Sequence, residues 1–479
     1  MPNSPPAVIV VPLDVAPERL ATIVGAWPEA ALLESGPGFG AAGRWSFYAA
    51  RPRLVLEAGG RAWRLRSDVG WKDAGMGDPL AITRYLLQRF QLNGCDYANE
   101  PDRDVAPFRG GMIGWFSYDL APRLERLPRK ATRDSKLPDI RLALHDIVVV
   151  RDHERGTIEL HAIDFLREGR DQIERRVREW KERIEQAPRV ESVLAAGRLG
   201  PIEPETTRER YLRAARRSLR YIEAGDIFQV NLSHRFIARG DVDPLTMYSR
   251  LREHSPAPFA AYIATDEGTV VSASPEWFYQ IRGDRIVTRP IKGTRPRGAT
   301  PRDDARLLDD LARSEKDRAE LTMIIDLERN DLGRVCRYAT VGVAEPFRVE
   351  SFAQVHHLVA TVEGRLRTDA GPMDVLAAMF PGGSITGAPK IRAMQIIDEL
   401  EPTRRGIYTG AIGYIGPDAS GFNIAIRTIL VEPGRATFQV GGAIVADSDP
   451  EAEYQETLDK AVGMRAAVES ATIESAAAS

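Results

Sequence analysis

The sequence predicts an α/β protein, and three observations carry that reading. Short runs rich in β-branched and aromatic residues, bounded by Gly, Pro or Asp, occupy the first 165 residues or so, at 7–11, 45–49, 54–57 and 147–151. Apolar residues spaced by three and four mark amphipathic helices, first at Ile173, Val177, Trp180 and Ile184 within a charged, solvated segment. Strands, glycine-rich turns and helices then alternate from Ile227 to about Met464. Between the two regions, residues 186–205 contain prolines and glycines without periodicity and read as a linker. Thr206 with Glu209 reads as the capping box of the next helix, whose stripe runs through Leu212, Ala215, Leu219 and Ile222. Gly225-Asp226 ends that helix, and a strand is expected over 227–236.

The bulk numbers exclude several classes. A chain of 479 residues exceeds the usual domain of roughly 100–200 residues, so one large domain or two interlocked ones are expected. With 43% hydrophobic and 28% charged residues it has the composition of an ordinary globular protein. The formal net charge of -3 offers nothing to nucleic acid or an anionic membrane. Cys95 and Cys336 supply neither a disulfide framework nor zinc-ligand spacing, which suits a reducing cytoplasm. The start lacks a basic segment followed by a long apolar one, and no run of 18 apolar residues exists, so neither a leader nor a spanning helix is expected. Gly38-Phe39-Gly40-Ala41-Ala42-Gly43 matches the dinucleotide fingerprint by letter, but a strand-like segment follows it where that motif requires a helix.

Four groups of residues carry candidate chemistry. Gly283-Asp284 is a two-residue hairpin signal between strand-like 277–282 and 285–289. Folding there pairs Arg282 with Arg285, sets Ile291 opposite Glu276 and brings Glu276 and Lys292 to one end of the hairpin. A surface ion pair is the commoner meaning of such a Glu and Lys. Asp317 and Glu320, and Glu453, Glu456 and Lys460, stand at helical spacings that put each set on one helix face. Two such faces across a cleft would offer hard oxygen ligands to magnesium; two solvated faces are the plainer alternative. The glycine-rich run 381–390 precedes a helix, which suits a carboxylate better than a triphosphate because the nucleotide-loop spacing is absent. Arg427 ends a buried-looking strand and fits either a carboxylate or a structural salt bridge, and His357 alone fits a satisfied core histidine.

Taken in order, these segments resemble the chorismate-utilising enzymes, a family that includes anthranilate, aminodeoxychorismate, isochorismate and salicylate synthases. The resemblance is strong over 206–464. It is carried by Gly225-Asp226-Ile227-Phe228-Gln229-Val230-Asn231-Leu232, Ser274-Pro275-Glu276, Pro290-Ile291-Lys292-Gly293-Thr294 and Ser314-Glu315-Lys316-Asp317-Arg318-Ala319-Glu320. Asp326-Leu327-Glu328-Arg329-Asn330-Asp331-Leu332-Gly333-Arg334, the loop 384–390 and the run 446–457 complete it; the N-terminal third fits more loosely. It implies an anthranilate synthase component I-like α/β fold: two large, mostly antiparallel sheets in a sandwich, helices outside, the active site between. It also implies an N-terminal region over 1–185 and a chorismate-binding catalytic domain over 206–466.

The same resemblance implies that Glu320 and Glu456 hold Mg²⁺, with Glu453 and Asp317 nearby through water. Thr294, Tyr408, Arg427 and Lys460 fall at substrate-binding positions, helped by the backbone near Thr386 and Gly441, with His357 beside the reacting ring. Ala443 departs from the glycine of many relatives. Members that add water carry a lysine where this chain has Gln229, and anthranilate synthases typically carry alanine where it has Lys292. The lysine resembles that of the aminodeoxychorismate synthase branch, in which it attacks the ring while a carboxyl, here Glu276, protonates the leaving hydroxyl. Neither cysteine sits in a glutaminase setting, so ammonia is expected from a separate glutamine amidotransferase subunit. The competing reading is an anthranilate synthase large subunit. A third, a non-catalytic paralogue that binds tryptophan, draws on Ser35, Pro256 and Phe259, which resemble a regulatory pocket wall, but the retained Glu276, Glu320 and Glu456 weigh against it.

Overall fold

Alternation along the strands builds the layers. In the strand Gly111–Phe116, Met112 and Phe116 join one core cluster while Ile113 and Trp115 join another. In Ile147–Asp152, Val148 and Val150 share the second cluster, whereas Ile147 and Val149 enter a third. Successive side chains point to opposite faces, so the shared cluster lies between two sheets and the other two lie outside them. The computed structural model describes residues 6–68, 72–94, 104–188, 197–352 and 354–473. Among these residues one sheet has 13 strands and the other 12, and all named strand pairs are antiparallel. The helices Arg170–Glu185, Pro244–His254 and Pro450–Ile473 cover the first sheet. Pro79–Arg89, Glu315–Gly333 and Pro372–Met379 cover the second. This is the expected α/β sandwich.

The N-terminal third is woven into both sheets. Ala31–Glu34 pairs with Phe259–Ala264 in the first, and Gly111–Phe116 pairs with Ala411–Ile415 in the second. Most local expectations match: the helix Arg170–Glu185 buries Ile173, Val177, Trp180 and Ile184 as its stripe requires, and Trp45–Ala49 is a strand after the glycine run. Two expectations are corrected. The next helix begins at Arg208 with Thr207 as its cap, its hydroxyl accepting from Arg210 N–H, while Thr206 is buried one step too early to reach that donor. The following strand is Gln229–Asp241, starting two residues later than expected, where pairing with Gly387–Ala388 begins. Residues 189–196 of the expected linker lie outside the described residues. Among the described residues no helix is long and apolar enough to cross a membrane.

The strand Gly111–Phe116, which joins the two parts of the chain, is intolerant of bulk on its side toward the N-terminal part. A Cβ on Gly114 would stand 1.8 Å from the Arg141 carbonyl oxygen of the neighbouring strand. Gly114→Ala should therefore destabilise the protein by about 1–3 kcal/mol, the usual range for overpacking. Gly36→Ala, where nothing lies within 4 Å, should leave the thermal transition in place. A thermal-denaturation comparison of the two variants checks this.

Candidate active site

The hairpin that carries Glu276 forms around Gly283-Asp284 with Arg282 facing Arg285, as expected. A bulge between Trp277 and Gln280 then slips the register by one, so Trp277 faces Arg289 and not Pro290. The backbone pairing of Glu276 with Ile291 is therefore not made. The next strand, Ile291–Pro296, pairs with Val355–Arg365 instead, and it is the Glu276 carboxylate that accepts Ile291 N–H. A second irregularity between Ile291 and Thr294 contains Gly293 at φ 78°, with Asp317 Cγ 2.8 Å from where a Cβ would sit. Only glycine fits that backbone and that space. Lys292 is thereby turned into the interior.

The Lys292 side chain is 12% exposed, with its amine 4.0 Å from Glu320 Oε2. Burial pushes its pKa below the ordinary value; Glu320 opposes the shift most, and the like charge of Lys460 adds to it. Glu276 is 6% exposed, and its carboxyl is pushed the other way, upward, by the same loss of solvent. Ser384 Oγ donates to Glu276 Oε1 at 2.8 Å and, with Lys292 and Ile291 N–H, restrains that rise. Burial thus favours the neutral form of both an amine and an acid within one site. An acid and an amine both perturbed by burial in one place are what acid–nucleophile chemistry requires.

Around them stand groups suited to anions. Lys460 Nζ donates to the Gly441 carbonyl at 3.1 Å and contacts Glu456 at 2.7 Å. A Cβ on Gly441 would meet Asn231 Oδ1 at 2.7 Å and Tyr408 Oη at 2.9 Å, so both polar atoms converge over that glycine. Arg427 lies beyond the strand Ala419–Ile424, not at its end, and adopts φ 49° in the left-handed region; Thr409, after Tyr408, does the same at 58°. Burial pushes the Arg427 pKa down, and among the described residues it has no carboxylate partner, so the structural salt bridge is not made. Such non-glycine strain costs about 1–3 kcal/mol and gathers at functional sites. His357 Nδ1 meets Thr294 Oγ1 at 2.9 Å, and burial, with Arg427 nearby, pushes the ring down to about 4, so it is neutral at pH 7. Thr386 turns its hydroxyl back to the Gly382 carbonyl, and its own carbonyl accepts Asn231 N–H.

The acidic faces meet as expected in part. Glu320 and Glu456, from the helices Glu315–Gly333 and Pro450–Ile473, both act on Lys292, so both face the same space. Lys316 stands 4.0 Å from Glu320 and also bears on Glu453 and Glu456. Glu453 is buried and accepts from Ser448 Oγ at 2.6 Å; Asp317 is taken up by Arg295 at 3.1 Å. Among the described residues no three His, Cys, Asp or Glu side chains form a ready cluster. Two hard carboxylates that bear on the same amine nonetheless fit magnesium, which binds through one or two carboxylates and keeps water and ligand oxygens for the rest.

A match to the chorismate binding enzyme family spans residues 70–466. The chain belongs to that family. It is 42% identical over 461 residues to aminodeoxychorismate synthase component 1 of Klebsiella aerogenes, covering 95% of this chain and 97% of the relative. It is 45% identical over 372 residues to anthranilate synthase component 1 of Thermus thermophilus, covering 77% and 79%. The crystal structure of anthranilate synthase component I from Streptococcus pneumoniae superposes with a TM-score of 0.77 at 29% identity, over 90% of this chain and 93% of that one.

Within this family member, sequence reasoning missed Ser384 as the partner of Glu276 and Asn231 as a neighbour of Gly441. The glycine-rich run 381–390 points to backbone contacts alone, and no local pattern signals a contact across 108 residues. Gln229 is fully buried, and its side-chain amide makes no hydrogen bond among the described residues. Of the supposed tryptophan wall, Phe259 lines a cavity of about 90 Å³ with Glu34 and Trp277; Ser35 instead donates to the Ala42 carbonyl, and neither Ser35 nor Pro256 lines the cavity. Cys336 is buried with its thiol pushed up to about 11, no setting for a nucleophile; Cys95 lies outside the described residues.

Measured without divalent cation, Lys292 should become half-reactive toward a small acetylating reagent at a pH below 10.5. Lys460→Met removes a like charge and should raise that pH; Glu320→Gln removes the main opposing charge and should lower it further. Peptide mass spectrometry across a pH series reads the result.

Proposed function

We propose that this protein is the large subunit of an aminodeoxychorismate synthase, converting chorismate and ammonia to 4-amino-4-deoxychorismate. The observation that carries the reading is the buried Lys292 amine beside a buried Glu276 carboxyl. Amination at C4 through a lysine needs a neutral nucleophile and a neutral proton donor, and burial favours both forms. The Lys292 amine adds to C2 as both ring double bonds shift, C1=C2 to C1=C6 and C5=C6 to C4=C5, and the C4–O bond breaks. Glu276 gives its proton to the departing hydroxyl, which leaves as water. Ammonia then adds at C4, both double bonds shift back, and the C2–N bond breaks to return the electron pair to Lys292. The proton released from the new ammonium group restores Glu276.

Arg427, with no carboxylate of its own, and Lys460 hold the substrate carboxylates, with Tyr408 and Gly441 shaping the wall. Thr294 keeps His357 oriented beside the ring. Glu320 and Glu456 would hold Mg²⁺, with Glu453 behind them; when bound, that ion would neutralise and clamp a substrate carboxylate. The numbered component names of the relatives support a second subunit, read here as a glutaminase that supplies the ammonia. The similarity to an anthranilate synthase component 1 keeps anthranilate formation as the second reading; Lys292 weighs against it.

Incubation with chorismate, Mg²⁺ and excess ammonium should give aminodeoxychorismate by mass, without anthranilate or pyruvate. Lys292→Ala and Glu276→Gln should each lower that rate by about 10²-fold or more. An unchanged rate in Lys292→Ala would rule out the covalent role.

A further inference from the structure

Behind the Glu276 carboxyl lies a second buried acid that the mechanism does not use. Glu328, on the helix Glu315–Gly333, is 4% exposed. Its carboxyl lies within reach of the Gly383 N–H, and among the described residues its Oε2 has no hydrogen-bond partner. The neighbouring charges are committed elsewhere. Lys390 Nζ sits 2.5 Å from Asp331 Oδ2 and also donates to the Met379 carbonyl at 2.7 Å. The turn it touches is tightly held. A Cβ on Gly383 would lie 2.3 Å from Leu327 Cδ2 and 3.4 Å from Glu328 Oε1, so helix and turn are in direct contact. Thr386 Oγ1 closes the turn on Gly382. The residue after Gly383 is Ser384, whose hydroxyl donates to Glu276.

We infer that Glu328 is a positioning residue for the proposed reaction: it fixes the Gly383 amide from behind and so holds Ser384 Oγ on the Glu276 carboxyl. The physical argument is one of reach. A buried backbone N–H that faces a carboxyl oxygen cannot move away without losing that partner, and the loss is costly where no water replaces it. A carboxyl oxygen at the full length of a glutamate side chain sets where the turn stands. Burial and Asp331 push Glu328 up to about 8, which agrees with a group that acts through its length and shape more than its charge. The inference rests on reading Glu276 as the proton donor.

Two conservative variants separate length from charge. Glu328→Gln keeps the acceptor at full reach without a titratable group; Glu328→Asp keeps the carboxyl but withdraws it by one methylene. Turnover and KM for chorismate are measured on the full chain with Mg²⁺ and saturating ammonium. Glu328→Gln should stay within about twofold of the parent, whereas Glu328→Asp should lose about tenfold in kcat with KM nearly unchanged, since small misplacements at a reacting centre cost rate more than binding. Ser384→Ala should lose a similar factor, and adding Glu328→Asp to it should lose little more. The inference is overturned if Glu328→Gln falls as far as Glu328→Asp, or if Glu328→Asp costs the same factor with and without Ser384. Full activity in Glu276→Gln would instead overturn the reading beneath it, which keeps the two failures apart.

Discussion

Removing water from an amine favours its neutral form, but only while opposing charges are held at a distance. Lys292 lives under that constraint. Its nearest carboxylate is 4.0 Å away, beyond hydrogen-bond reach, and Lys460 adds a second positive charge to its surroundings. A closer Glu320 would favour the protonated ammonium, which is no nucleophile. The same dry environment raises the Glu276 carboxyl and so favours its protonated form. Acid and nucleophile are tuned by one cause acting with opposite sign on opposite charge types.

The architecture exists to maintain that spacing. Glu276 lies at a strand end whose carbonyl accepts Ile424 N–H, while its side chain ties to Ile291 N–H and Ser384. Lys292 comes from the strand that the bulged hairpin diverts toward Val355–Arg365. Glu320 and Glu456 come from helices that cover opposite sheets. The site is therefore assembled from both layers, and the antiparallel ladders that bind the N-terminal third to the rest hold those layers in register. Arg427 and Thr409 keep strained backbones there, which a loosely packed site would relax.

Much of this was legible from local pattern. The Gly283-Asp284 turn, the stripe of Arg170–Glu185 and the shared faces of Asp317 with Glu320 and Glu453 with Glu456 follow from periodicity and turn chemistry. The misses share a different physics. Thr206 and Thr207 are equivalent by letter, and only the chain's path decides which one caps. The bulge after Trp277 answers to neighbouring strands, not to the hairpin's own residues. Ser384 on Glu276 and Glu328 beneath Gly383 are tertiary contacts that no spacing encodes. The roles of the carboxylates came from family resemblance; spacing alone offered solvated helix faces as readily.

The most direct test is to look for the covalent state itself. The protein is mixed with chorismate and Mg²⁺ in the strict absence of ammonia, quenched, and analysed as intact mass and then as peptides. The account predicts a species heavier by chorismate less one water, located at Lys292 and discharged to aminodeoxychorismate when ammonium is added. An unmodified Lys292 in protein that still turns over on adding ammonium would contradict it.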